Sequence, residues 1–352
     1  MTASKQNPGT RLKYHRRLPT MTNDPPAGTA ALDAPDRRDG RVYLLSDELR
    51  LAVEVALTTG RPLLLRGAPG SGKSSLAAFI ARNLGYRYYE HTVTAATRAQ
   101  DLLWRFDTVR RLSDAQVRTA EDPPLREVDY VEPGVLWWAF NRDSASRRGA
   151  AEEDDQPGKP ATEPDAELNV GRLPDRAVVL IDEIDKADPD VPNGLLEPLS
   201  LASFVITETG ARIKRPIRTA QQVAADPVGQ VFIVITTNEE RDLPPAFIRR
   251  CVVFKLDQPN VGRLVQIARL HLRGTDLAFN INLCRRLAER TSTLQEQAEK
   301  EGLRPPGVAE YLDAVRACTT LEINPGDSLA WRILAHATLA KWQSHDEDEQ
   351  VK

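Results

Sequence analysis

Leu63-Leu64-Leu65-Arg66-Gly67-Ala68-Pro69-Gly70-Ser71-Gly72-Lys73-Ser74-Ser75 is an apolar run that enters the pattern G-x-x-x-x-G-K-S and leaves it as a helix. Leu63 to Leu65 read as a buried strand. Leu76, Phe79, Ile80 and Leu84 then recur at helical spacing until Gly85 stops the helix. A glycine-rich turn in this setting exposes consecutive backbone N–H groups, and the helix N-terminus behind it adds positive dipole. Gly67, Ala68, Pro69, Gly70, Ser71, Gly72, Lys73, Ser74 and Ser75 therefore read as a polyphosphate cradle. Lys73 can reach the β- and γ-phosphates, and the Ser74 hydroxyl can bind Mg²⁺. The implied ligand is a nucleotide such as ATP.

Outward from this motif the chain alternates strand and helix. Ser46 caps a helix that carries Asp47 and Glu48 in its first turn, as the dipole prefers, and Leu49, Val53, Ala56 and Leu57 on its inner face. Tyr86 to Val93 reads as a second strand, and residues 95–140 as mostly helical. Ala177 to Ile181 and Val231 to Ile235 are continuous apolar runs without alternation, as in parallel strands covered on both faces. The segment 203–213, with Gly210, reads as a β-hairpin. The fold class is α/β, a parallel sheet flanked by helices, with a core over 41–257. After Pro259 only helical periodicity remains, which predicts a small all-α lid over 258–343.

The chain of 352 residues is 41% hydrophobic and 28% charged, with a net charge of −3. That balance favours neither nucleic acid nor a membrane, and no apolar run approaches eighteen residues. A cytoplasmic protein is expected, since no signal peptide is evident. Residues 1–40 are poor in large apolar side chains and are expected to be disordered. Lys5, Arg11, Lys13, Arg16 and Arg17 make this tail basic, either a solvated arm or a dock for an acidic partner. Residues 142–173 read as a flexible insertion within the core, and 344–352 as a charged tail. Cys251, Cys284 and Cys318 are odd in number and lack CxxC spacing, so they read as reduced and structural.

Asp182 and Glu183 close the third strand, where ligands bind in parallel sheets. Asp182 is the candidate Mg²⁺ ligand and Glu183 the group that polarises a water aimed at the γ-phosphate. Asp185 and Lys186 read either as an exposed ion pair or as nucleotide contacts. Thr236-Thr237-Asn238 ends another buried strand, and the Asn238 amide could orient that water. Arg249 and Arg250 close a short helix and would be surface residues in a monomer. One of them could act as an arginine finger on a neighbouring subunit.

With these motifs in place, the sequence resembles the MoxR group of AAA+ ATPases. The carrying residues are Gly67 to Ser74, Ile181-Asp182-Glu183-Ile184-Asp185-Lys186-Ala187, and Thr236-Thr237-Asn238 followed by Arg241-Asp242-Leu243-Pro244-Pro245-Ala246-Phe247. Asp101 to Asp107 and Glu132-Pro133-Gly134-Val135-Leu136 also look like this group. The resemblance covers about 43–340. It implies Mg²⁺-dependent ATP hydrolysis in a homo-oligomeric ring, a hexamer, that remodels or activates a client protein, one class of client carrying a von Willebrand factor A domain. It makes Gly67 to Ser74 the Walker A motif, Asp182 and Glu183 Walker B, Asn238 sensor 1 and Arg250 the finger, with Arg249 as the alternative. Tyr43 would cover the adenine. The helix around Pro133 to Leu136 and the hairpin would face the client. The sensor 2 arginine is expected near Pro305 to Val308, which has none; either Arg304 supplies the contact or it is missing. Two other classes stay open: a nucleic-acid-dependent motor or nuclease regulator, and a nucleotide-regulated scaffold with little turnover.

Overall fold

The computed structural model describes residues 18–24, 39–119, 121–151, 158–225, 230–273, 275, 277–326 and 328–341. Its strands are β1 (Leu63–Arg66), β2 (Tyr86–Thr92), β3 (Trp104–Phe106), β4 (Val131–Pro133), β5 (Leu173–Asp182), β6 (Ser203–Val205), β7 (Arg212–Lys214), β8 (Val231–Thr237) and β9 (Val252–Lys255). The core helices are α1 (Asp47–Thr59), α2 (Lys73–Leu84), α3 (Thr108–Val117), α4 (Val135–Phe140), α5 (Arg142–Ser146), α6 (Asp190–Gly194), α7 (Leu196–Leu201), α8 (Ala220–Ala225) and α9 (Pro245–Ile248). Four more follow: α10 (Val261–Leu272), α11 (Ile281–Glu301), α12 (Val308–Thr320) and α13 (Leu329–Thr338).

Five strands form one parallel sheet in the order β2-β5-β8-β1-β9. The central strands are buried on both faces, which is why β8 and the second half of β5 read as unbroken apolar runs. Alternate residues serve different cores. Leu64, Val179, Ile181, Ile233 and Ile235 face one. Leu63, Leu65, Val178, Leu180 and Val234 face the other, beneath α1 and α2. The α1 and α2 helices end at Gly60 and Gly85, both left-handed with φ of 66° and 67°, the second at the expected stop. Helices α10 to α13 bury a separate apolar cluster around Leu264, Leu287, Tyr311 and Val315. This is the α/β sheet with C-terminal helices that the sequence predicts.

The structure departs from the expectations in three places. Residues 95–140 hold α3, α4 and two short 3₁₀ turns, but also a ribbon that was not expected: β3 and β4 pair antiparallel, with Arg105 opposite Glu132. Strands of three residues are too short to show a period, so strand and helix could not be told apart there. Trp104 stacks on Phe204 at 5.4 Å between ring centres and donates from its indole to Glu208. Helix α4 is buried at every position, so it is core and not a surface for a client.

The described residues of 142–173 pack against β2. Glu163 accepts from Arg87, Arg142 and the Tyr89 hydroxyl at 2.6–3.0 Å. The Asn169 side chain takes the Tyr88 N–H at 2.7 Å and donates to the Tyr88 carbonyl at 3.0 Å, occupying part of the free edge of β2. Polar anchors of this kind leave no mark on apolar composition.

The disorder expected of 1–40 falls mostly outside the described residues, as do the charged tail 344–352 and its boundary. Within it, however, residues 18–24 are packed on the core: Leu18 is 7% exposed and lies in the cluster beneath α1 and α2.

Candidate active site

The register of the sheet sets the site. Arg66 lies opposite Thr237 and Ile181 opposite Ile235, so β1, β5 and β8 end at the same level. Their continuations, 67–74, 182–183 and 238, therefore meet. The phosphate loop passes through left-handed glycines at Gly70 and Gly72, with φ of 74° and 90°. Its helix begins at Lys73, with no side-chain cap to occupy the N–H groups.

Lys73 is 6% exposed. Its ammonium donates to the Gly67 and Ala68 carbonyls at 2.7 and 2.9 Å and to Asn238 Oδ1 at 2.8 Å. Burial pulls its pKa below the usual lysine value, opposed by the attraction of Asp182, Asp185, Glu183 and Glu239. Ser74 donates to Asp182 Oδ1 at 2.8 Å, and Thr236 donates to the same oxygen at 2.6 Å. A hydroxyl and a carboxylate in contact suit magnesium, which takes one or two protein oxygens and completes its shell with phosphate and water. Among the described residues no cluster of three His, Cys, Asp or Glu side chains forms a closed metal cage.

Glu183 follows Asp182 in a left-handed conformation, φ 59°, uncommon for a residue with a side chain. Its N–H donates to Thr236 Oγ1 at 2.9 Å, and its carboxylate accepts from Asn238 Nδ2 at 3.0 Å. Asn238 thus links Lys73 to Glu183. Asp185 is 2% exposed, so the exposed ion pair with Lys186 does not form. Its Oδ2 accepts the backbone N–H groups of Asn238 and Glu240 at 3.1 and 3.0 Å. Lys186 pairs with Glu240 on the surface at 3.2 Å.

Tyr43, Pro69, Gly70, Ser71, Gly72, Lys73, Ser74, Ser75, Asp182, Glu183, Thr236 and Asn238 line one pocket of ≈420 Å³ that opens between the core and the C-terminal helices; Gly67 and Ala68 are not among its lining residues. Tyr43 leans on Phe79, ring centres 5.7 Å apart. On the far wall, Val308 N–H donates to the Gly70 carbonyl at 2.9 Å. Arg304, the candidate for the sensor 2 contact, lines the pocket. The Arg250 guanidinium lies elsewhere, donating to Ala246 O at 3.0 Å beside a separate cavity with Arg61 and Cys251. The Arg249 carbonyl accepts from Arg61. Neither arginine reaches the nucleotide pocket of its own chain.

A family model for the AAA domain, dynein-related subfamily, matches residues 62–251, more than half of the chain and all of the motifs above. This chain belongs to that family. It is an AAA+ P-loop ATPase. Similar solved structures include Thermotoga maritima RuvB, described as a Holliday junction branch migration motor. It shares 14% identity over 82% of this chain and 67% of that one, with a TM-score of 0.39. Its P216G mutant shares 15% identity over 86% and 73%, with a TM-score of 0.43. These likenesses carry no argument about substrate or partner. No curated protein matches the sequence.

Two participants in the ATPase site, Thr236 and Gly307, went unassigned in the sequence, and a third, Asp185, was read there only as an exposed ion pair or a nucleotide contact. Thr236 carried only its place at a strand end. Asp185 carried a charge in the expected position, but its backbone partners are invisible to residue type. Gly307 carried only its flexibility, and its closeness to Gly70 is a tertiary fact.

Proposed function

We propose that the ATPase works as a ring, hydrolysing Mg²⁺-bound ATP at subunit interfaces to remodel or activate a protein client, as in the MoxR group. The observation that carries this reading is the Lys73–Asn238–Glu183 chain of 2.8 and 3.0 Å contacts. It links the phosphate-binding cation to a carboxylate on the water side, the arrangement that turnover needs and storage of nucleotide does not.

In this reading Lys73 and the loop N–H groups of Gly70 to Ser74 bind the β- and γ-phosphates. Ser74 and Asp182 hold the magnesium ion, which when bound neutralises phosphate charge. Asn238 orients the attacking water, and Glu183 takes its proton. Tyr43 covers the base. The exposed position of Arg250 supports a role in trans, on the γ-phosphate of a neighbouring subunit, with Arg249 as the alternative. Hexameric closure and a client with a von Willebrand factor A domain follow from the MoxR likeness alone. For client contact, α3 suits better than buried α4: it buries none of its residues and exposes Val109 by 81%, Leu112 by 59% and Val117 by 78%. The domain boundaries of this reading are 41–257 for the ATPase core and 258–343 for the lid.

The test compares two variants for nucleotide binding and turnover. Lys73→Ala is expected to lose ATP affinity. Glu183→Gln is expected to bind ATP and lose hydrolysis, by at least about 10²-fold. Near-normal turnover of Glu183→Gln overturns the assignment of the base.

A further inference from the structure

Residues 18–24 lie against the back of the base-side wall, held by several polar and apolar anchors. The Pro19 carbonyl accepts from Arg50 of α1 at 3.2 Å. Thr22 N–H donates to Asn83 of α2 at 2.7 Å, and Asp24 pairs with Arg82 of α2 at 2.6 Å. Asp24 N–H also donates to the Arg41 carbonyl at 2.9 Å. Leu18 and Met21 pack into the apolar cluster beneath α1 and α2. Between these anchors, Asn23 Oδ1 accepts the backbone N–H of Tyr43 at 2.7 Å.

That last bond matters because of what Tyr43 does. Residues 42–44 belong to no strand, so no sheet ladder supplies their hydrogen-bond partners. A backbone N–H in such a segment needs an acceptor from elsewhere. Asn23 supplies it, and so fixes the height of Tyr43 over Phe79 and against the phosphate loop. The Tyr43 ring lies 3.6 Å from the position a Cβ on Gly72 would take. Burial also raises the pKa of the Tyr43 phenol, so it stays a neutral apolar face toward the pocket.

We propose that Asn23 is a positioning residue of the nucleotide site, holding the Tyr43 wall on the base side through the 18–24 strap. The proposal rests on the reading of this pocket as the nucleotide site. It separates two halves of the ligand. The strap acts on the base wall and leaves the phosphate cradle alone, so its loss must be felt by ATP and not by a ligand that lacks a base.

The experiment uses the full chain with Asn23→Ala, and with Asn23→Asp, whose carboxylate still accepts. Affinities for ATP and for inorganic tripolyphosphate are measured in Mg²⁺, together with kcat and KM. Asn23→Ala is expected to weaken ATP binding and raise KM about five-fold, the worth of one hydrogen bond. Its kcat and its affinity for tripolyphosphate stay within two-fold of wild type, and Asn23→Asp restores ATP affinity. Asp24→Ala, which loosens the strap at Arg82, shifts ATP affinity in the same direction by less. Unchanged ATP affinity in Asn23→Ala overturns the proposal. An equal loss for ATP and tripolyphosphate also overturns it, since that marks general loosening. Failure of the wild type to bind ATP at all is a different result, and removes the nucleotide reading itself.

Discussion

The phosphate side of the pocket is tied together by side chains, whereas the lid touches the phosphate loop through backbone. On the first, Lys73, Ser74, Asp182, Glu183, Thr236 and Asn238 meet through ionic and amide groups. On the second, Val308 N–H meets the Gly70 carbonyl, and two glycines lie back to back. A Cβ on Gly307 would stand 2.6 Å from Gly70 Cα, and a Cβ on Gly70 would stand 2.8 Å from Gly307 Cα. Charge and hydrogen-bonding capacity write themselves into residue type. Close approach of two backbones does so only as the absence of a side chain. The same pocket is therefore half explicit and half silent in the sequence.

The largest effect tests whether a neighbouring subunit completes the pocket. Arg250→Ala is expected to bind ATP normally and to lose turnover by about 10³-fold, if the guanidinium serves a neighbour's γ-phosphate. Mixing it with Lys73→Ala should recover part of the activity, because some interfaces then pair an intact cradle with an intact arginine. Turnover is measured for each variant and for the mixture. Full activity of Arg250→Ala with loss in Arg249→Ala moves the finger by one residue. Activity of both variants as monomers removes the ring from the account.

A smaller effect tests whether the phosphate side depends on its backbone too. Asp185 does not line the pocket, yet its carboxylate holds the N–H groups of Asn238 and Glu240. Asp185→Ala frees the end of β8 and lets the Asn238 amide drift from Lys73 and Glu183. A misplacement of about 1 Å can cost up to about 10²-fold in rate. The expected outcome is a fall in kcat with little change in ATP affinity. A parallel loss of both would show that Asp185 supports the cradle and not the water side.

The legibility of the chain follows the same division. The parallel sheet was readable because β5 and β8 are apolar on both faces, and the cradle because its glycines and lysine have few other uses. The β3–β4 ribbon was not, since three-residue strands carry no period. The docking of 158–173 was not, because Glu163 and Asn169 anchor it by polar contacts while composition registers only apolar burial. Leu18 alone carried no signal against a polar background. The expected sensor 2 arginine shows the limit most clearly. The segment at Pro305 to Val308 lacks an arginine, but its backbone sits directly on the phosphate loop.

Gly307→Ala isolates that contact and carries the smallest of these effects. Gly307 has φ −103°, so alanine brings no backbone strain of its own. The added methyl meets Gly70 Cα and carbonyl oxygen at 2.6 and 2.9 Å, and neither atom belongs to a flexible side chain. The start of α12 must then back away from the loop, and the Val308–Gly70 hydrogen bond lengthens. Overpacking of this kind costs roughly 1 kcal/mol or more, about five-fold in affinity. Faster nucleotide release is the expected outcome, with kcat for saturating ATP and the melting temperature of the core little changed. Stopped-flow displacement of a fluorescent ATP analogue measures it. Release at the wild-type rate would mean that the backbone wall closes the pocket without holding the nucleotide. In that case the side-chain wall alone sets affinity, and the glycine pair only lets two units of the fold touch.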